Sequence, residues 1–170
     1  DLTVDISLNL RTSLLERKLD LAFLMGPVSE FSVENVPLPS FDLHWYRSVS
    51  NAQTDLSVVP VISYARMTRP YRELMSELSR RIGPSVRVFA SASLSASLKM
   101  IAAGIAVGPY PRALARDFLK SEQIVEFDAG FRPQPLQFTA SYLSEPRSFL
   151  VENSAEIAQS VALNWDKSQP

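Results

Sequence analysis

Hydrophobic residues recur along this chain at two alternating periods, and this change of period restricts its fold more than any other feature. Leu2, Val4, Ile6 and Leu8 alternate with polar neighbours, which is the two-residue period of a strand with one buried face. The spacing then becomes helical, with Asn9 as a candidate cap and leucines at 10, 14 and 15 on one side. Residues 19–24 (LDLAFL) next predict a strand buried on both faces, so the start of the chain has the βαβ order.

Segments with the period of a strand and segments with the period of a helix continue to alternate to the end of the chain. We expect strands at residues 41–49, 58–62, 86–89, 105–107, 124–127 and 136–142. Helices are expected from Pro70 to Gly83, from about Leu94 to Gly104, and from Pro111 onward, with a long final helix containing Leu150 and Trp165. Strands that alternate with helices predict an α/β fold with largely parallel sheets and helices on both faces.

Composition limits the classes of function. The 170 residues are 46% hydrophobic and 21% charged, which is typical of a folded globular chain. The net charge of -1 argues against the strongly basic surface that proteins use to bind nucleic acid. The chain has no cysteine, which excludes disulfides and thiolate metal sites. No apolar stretch approaches the roughly 20 residues needed to cross a membrane, and the first residues do not have the pattern of a signal peptide. We therefore expect a cytoplasmic module without membrane contact.

Two segments resemble a known family. LERKLDLAFL at residues 15–24 and SLKMIAAGIAVGPYP at residues 97–111 are similar to the effector-binding domain of LysR-type transcriptional regulators, which has a type II periplasmic-binding-protein-like fold. The resemblance implies two Rossmann-like lobes joined by two crossover strands, with a ligand cleft between them. It places lobe I at residues 1–48 and 135–170 and lobe II at residues 49–134. Residues 130–135, rich in proline, fall at one crossover.

The sequence departs from the family at three places. The family has a further strand and helix before the equivalent of Asp1, so the first lobe is expected to lack its usual first strand and helix. The family's N-terminal winged helix-turn-helix is also absent from this chain, and DNA contact is expected only through such a domain. Ala106 stands where the family usually has glycine, and Gly108-Pro109 where it has apolar strand residues.

The candidate effector site follows from the rule that open α/β sheets bind ligands beyond the carboxyl ends of their strands. Residues at such strand ends, where the family's effector contacts also fall, are Met25, Gly26, Pro27, Ser63, Tyr64, Ser91, Ser93, Ser95 and Tyr110. Hydroxyls and free amides at a helix start favour an anion, so a carboxylate-bearing effector is expected. The alternatives are that one serine only caps a helix, that Ser63 and Tyr64 form a turn, and that Gly26-Pro27 is a turn.

Other chemistry finds little support in the sequence. Arg66, Arg69 and Arg72 could pair with an acidic ligand, although solvated surface is the alternative for at least two of them. His44 is the single histidine and predicts no metal site, and neither a nucleophile elbow nor a nucleotide-binding glycine motif is present. We expect no catalytic residue, metal or cofactor.

Three functions remain open at this point. The leading one is a small-molecule sensing domain of a LysR-type regulator, which couples effector binding to rearrangement of a homodimer or homotetramer. The alternative is a stand-alone solute-binding protein of the periplasmic type II class. A small enzyme on the same scaffold would need an acid-base pair that the sequence does not offer.

Overall fold

The computed structural model describes residues 1–167, and over that range the chain folds into five helices and eight strands. The helices are α1 (Ser7–Leu15), α2 (Arg69–Arg81), α3 (Leu94–Ala102), α4 (Arg112–Lys120) and α5 (Phe149–Lys167). The strands are β1 (Leu21–Met25), β2 (Val33–Pro37), β3 (Leu43–Ser48), β4 (Val61–Ser63), β5 (Val88–Ala90), β6 (Gly108–Pro111), β7 (Ile124–Glu126) and β8 (Phe138–Leu143). The predicted α/β class is confirmed.

The chain divides into two compact units and passes between them twice. The first unit consists of Asp1–Phe41 and Leu136–Pro170, and the second of Asp42–Pro135. Phe41 and Leu136 bond to each other in both directions through their backbone groups, with N···O distances of 2.9 Å. Strand β3 groups with the second unit. The lobe boundaries inferred from the resemblance stay a prediction.

The first unit contains a three-stranded sheet in the order β1-β8-β2. Strand β8 lies in the centre and runs antiparallel to both neighbours, with Leu24 opposite Thr139 and Asn35 opposite Ser141. Helix α1 buries Leu14 completely, and Leu10 and Leu15 also pack against its core cluster, as the helical spacing predicts.

The second unit contains two sheets, an antiparallel one in the order β6-β3-β7 and a parallel pair, β4-β5. Helix α2 packs Leu74 and Leu78 into a core that includes Trp45. Thr68 caps this helix by accepting from the Tyr71 N–H, and Gly83 follows its end with φ +108°. The predicted helix is confirmed, because Pro70 lies in its first turn and Gly83 follows its end, as expected.

Two local predictions near the start of the chain are wrong. Residues 1–6 form no strand, and Leu2 and Val4 are 90% and 89% exposed. No described strand pairs with them, and α1 begins before Asn9, whose amide donates to the Asp5 carboxylate instead of capping. The alternating pattern could not reveal whether a neighbouring strand pairs with these residues.

The sheets also differ from expectation in their burial and direction. Phe23 is half exposed, so β1 is buried on one face only. Among the five described strand pairings only β4-β5 is parallel. The expectation of largely parallel sheets is therefore wrong: β8 returns to the first unit from the second and inserts between β1 and β2 in the opposite direction. The expected strand at residues 105–107 lies slightly later, as β6.

Candidate functional site

Two buried hydroxyls without partners lie at the carboxyl end of β4. Ser63 is completely buried and Tyr64 is 8% exposed. Neither the Ser63 Oγ nor the Tyr64 hydroxyl has a hydrogen-bond partner in the described part of the chain. An unsatisfied buried polar group costs about 1–3 kcal/mol, so folded proteins rarely retain one without a reason. Both residues were predicted site residues, and both hydroxyls have unused hydrogen-bonding capacity.

Tyr110 packs directly against Tyr64. Their ring centroids are 5.3 Å apart, and the buried Tyr110 hydroxyl donates to the Ile62 carbonyl at 3.5 Å. Burial raises the pKa of Tyr110 to about 12, opposed by a side-chain hydrogen bond with Ser97. Burial, and then the neighbouring Tyr110, raises the pKa of Tyr64 as well. Both phenols therefore stay protonated near neutral pH and can donate hydrogen bonds.

The serines before α3 connect the ends of β4 and β5. The Ser91 N–H donates to the Ser63 carbonyl at 3.1 Å, and the Ser91 hydroxyl donates to the Ser93 carbonyl at 3.0 Å. The Ser93 hydroxyl accepts from the Ala96 N–H at 3.2 Å, so the expected capping serine is Ser93. Ser95 is exposed. The structure thus places four predicted site residues at the carboxyl ends of β4 and β5: Ser63, Tyr64, Ser91 and Ser93.

Ser97 belongs to this group and was missed by the sequence reasoning. It is completely buried, and its hydroxyl donates to the Ser93 carbonyl at 3.0 Å. It also hydrogen-bonds Tyr110. A usable signal was present, because Ser97 follows Ser93 by four residues and therefore lies one helical turn further along the same face.

A cavity of about 360 Å³ opens beside Tyr64 within the second unit, a volume in the range of small-molecule sites. It is lined by Leu43, Tyr64, Pro70, Glu73, Leu74, Glu77, Arg80, Arg81, Pro109, Arg132, Pro133 and Gln134. Hydrogen bonds from Arg80 and Arg81 hold the pKa of Glu77 below its usual value, so this group is a carboxylate paired with two guanidinium groups. Arg132 has no ion-pair or hydrogen-bond partner among the described side chains. The cavity therefore has mixed walls, apolar and charged, with Arg132 as a positive charge that no other described side chain pairs with.

The remaining predicted site residues belong to the first unit. The Met25 N–H donates to the Ser7 hydroxyl at 3.0 Å. Gly26 is buried against Thr139, and a Cβ at this position would lie 2.2 Å from the Thr139 Oγ1. Only glycine fits there. Pro27 is exposed. Contact between these three residues and an effector stays a prediction.

The other candidates already have intramolecular contacts. Arg69 pairs with Glu73 at 2.6 Å, and the Arg66 guanidinium lies 5.9 Å from the centre of the Tyr71 ring. The His44 Nδ1 lies 3.1 Å from the Glu126 carboxylate. The described residues contain no cluster of His, Cys, Asp or Glu that could hold a metal ion, and none of their helices is long and apolar enough to span a membrane.

An α/β chain in two units, with buried hydroxyls at a strand end and a partly charged cavity, has features typical of a small-molecule binding domain. The chain belongs to the LysR substrate-binding domain family, whose model matches residues 1–162. Domains of this family are the regulatory, ligand-sensing parts of LysR-type transcriptional regulators and are not enzymes. No curated protein matches the chain in sequence.

Similar solved structures agree with this assignment. The bromide-bound regulatory domain of HypT from Salmonella typhimurium is 16% identical, with a TM-score of 0.79 over 92% of this chain and 80% of that one. The effector-binding domain of QuiR with shikimate is 13% identical, with a TM-score of 0.73 over 94% and 79%. Full-length LysG from Corynebacterium glutamicum with bound Arg is 16% identical, with a TM-score of 0.69 over 94% and 57%. The chain thus spans 57% of the length of the full-length LysG chain.

Proposed function

We propose that this chain senses a small anionic metabolite for a cytoplasmic transcription regulator, in which a part of the protein outside this chain contacts DNA. The observation that carries the proposal is the pair of buried, unpartnered hydroxyls of Ser63 and Tyr64 at the end of β4. A bound molecule that hydrogen-bonds both groups would remove their desolvation cost, and this gain exists only in the bound state. Such a difference in free energy is what allows an effector to shift a conformational equilibrium.

The charge of the neighbouring cavity supports an anion as the effector. Arg132 offers a guanidinium that is unpaired among the described residues, and Tyr64, whose phenol stays neutral, lines the same cavity. Guanidinium and hydroxyl donors together suit a carboxylate, which accepts several hydrogen bonds at once. Three similar structures hold bromide, shikimate and Arg respectively, and these molecules are the first probes for this chain.

Charge also supports self-association. The first unit carries five basic and ten acidic residues, whereas the second carries twelve basic and eight acidic ones. Opposite net charges of -5 and +4 favour a homodimer in which the first unit of one copy meets the second unit of another. Several apolar residues of α5 are exposed and available for such contact: Phe149, Leu150, Ile157 and Val161.

The test is thermal unfolding of the wild-type chain with sodium bromide, shikimate, L-arginine and a panel of small carboxylates. We expect at least one anion to raise the melting temperature, because a ligand that binds only the folded state stabilises it. The rise should shrink in Ser63→Ala, Tyr64→Phe and Arg132→Gln.

Matched controls are available on the same unit. Ser79→Ala and Lys120→Gln change exposed residues that neither line the cavity nor belong to the candidate site, so both should respond like the wild type. If no anion stabilises the wild type, or if the control variants lose the response equally, the proposal of an anionic effector at this site is wrong.

A further inference from the structure

Asn35 binds both backbone groups of Val28, seven residues earlier. Its Oδ1 accepts from the Val28 N–H at 2.9 Å, and its Nδ2 donates to the Val28 carbonyl at 3.1 Å. The reversed amide would place a donor against the Val28 N–H, so the orientation of the Asn35 side chain is fixed by these contacts. The peptide groups on both sides of Val28 are therefore held by one side chain of β2.

A second contact holds Asn35 itself. The Ser141 hydroxyl donates to Asn35 Oδ1 at 2.8 Å, and the Thr139 and Ser141 hydroxyl oxygens are also 2.8 Å apart. Because the single Ser141 proton is directed to Asn35, the Thr139 hydroxyl must be the donor to Ser141. A chain of donors thus runs from Thr139 through Ser141 to Asn35. Thr139 and Ser141 are buried, at 6% and 0% exposure, which favours a single arrangement.

The loop that these groups surround contains candidate site residues. Its start is fixed by the bond from the Met25 N–H to Ser7, and Gly26 packs against Thr139. Its end is fixed at Val28 by Asn35. Contacts on three sides therefore restrain the backbone of Gly26 and Pro27, although Pro27 itself is exposed.

We propose that Asn35 is a positioning residue, which holds the loop from Met25 to Val28 in the conformation that receives the effector. The ligand part of this proposal rests on the proposed function, whereas the hold on the loop does not. Neither the family match nor the similar structures assign a role to Asn35.

The experiment compares Asn35→Ala, Asn35→Asp and the control Asn153→Ala by amide hydrogen exchange, measured residue by residue with NMR. Asn153 is exposed on α5 of the same unit. In Asn35→Ala we expect exchange of the Gly26 and Val28 amides to become about tenfold faster, while amides of β8 keep their rates. Asn35→Asp retains the acceptor for the Val28 N–H, so it should show a smaller increase, and Asn153→Ala none.

A second arm measures the affinity of each variant for whichever of bromide, shikimate or L-arginine stabilises the wild type. Loss of positioning predicts at least fivefold weaker binding in Asn35→Ala and unchanged binding in Asn153→Ala. Three results would each overturn the proposal. The Val28 amide could keep its exchange rate in Asn35→Ala, or all amides of the first unit could accelerate equally. The third is an unchanged affinity for the probe although the loop amides exchange faster. If none of the three probes binds the wild type, that choice of effector fails, while the exchange rates still decide whether Asn35 holds the loop.

Discussion

Tyr64 and Tyr110 lie with their rings 5.3 Å apart in the second unit, and burial raises the pKa of both phenols. Tyr46, also buried, has its pKa raised by burial and then by Glu126. Three phenols of one unit thus resist ionisation in the folded state. Each of them must become exposed before it ionises easily, and folding stability in alkaline solution depends on this difference.

Alkaline pH is therefore expected to unfold the second unit. A group whose folded pKa is raised stabilises the fold below its unfolded value, here 10.0, and loses that contribution as the pH approaches about 12 for Tyr110. Absorbance of the tyrosinate ion should rise in the same transition as loss of circular dichroism. Tyrosinate forming fully while the fold is intact would contradict this expectation.

Removing the unpartnered hydroxyls should not destabilise the ligand-free chain. Ser63→Ala and Tyr64→Phe each delete a buried polar atom that has no described partner, so the free energy of unfolding should stay constant or rise by about 1 kcal/mol. The measurement is denaturant unfolding without ligand, with Ser95→Ala as the exposed control. A loss above about 1 kcal/mol would mean that the hydroxyl already has a partner in the folded chain.

These hydroxyls also show which features of the structure could be predicted from the sequence and which could not. Helix α2 was predictable because Pro70 and Gly83 act locally, within a few residues of the helix ends. The positions of Ser63 and Tyr64 followed from the strand pattern, but their lack of partners depends on packing against distant residues. The hydrogen-bond chain that links Asn35 to Thr139 could not be predicted from the sequence, because 104 positions separate these residues and only β-sheet pairing brings them together.

The expected first strand failed for the same reason. Leu2 and Val4 have the period of a strand, but a strand forms only where a neighbour supplies hydrogen bonds. The described sheet of the first unit offers them none, and both side chains are exposed. Local pattern predicts which residues can form a strand, whereas the register and direction of pairing are set by the whole chain.

Glu126 is expected to stabilise the fold more through its contact with Tyr46 than through its contact with His44. The buried Tyr46 hydroxyl donates to the Glu126 carboxylate at 3.3 Å, while the His44 contact is partly exposed. Glu126→Ala leaves this hydroxyl without its acceptor and should lower the free energy of unfolding by about 1–3 kcal/mol. Glu126→Gln keeps an acceptor oxygen and should cost less, as measured by urea unfolding. Equal losses in the two variants would show that the negative charge, and not the acceptor, matters.

Self-association should weaken with salt if opposite charges of the two units bring copies together. Raising sodium chloride shortens the Debye length, which is about 10 Å at 0.1 M, so attraction between exposed charges declines. Sedimentation equilibrium at low and high salt should show a larger fraction of monomer at high salt. An association constant that stays equal or increases would instead favour the exposed apolar residues of α5 as the main contact.

Gly108 should be intolerant of a side chain although its φ is not positive. A Cβ there would lie 2.5 Å from the Ile62 carbonyl oxygen and 2.9 Å from the Tyr110 ring, so backbone and a buried ring would both have to shift. We expect Gly108→Ala to cost about 1–3 kcal/mol of unfolding free energy, as overpacked cores do. Gly83→Ala is the matched comparison, because that position has open space and φ +108° and should cost about 1 kcal/mol from backbone strain alone. Near-equal stability of Gly108→Ala and the wild type would show that β4 and β6 can separate at this point. The distance between Tyr110 and Tyr64, set by the same strands, would then be adjustable.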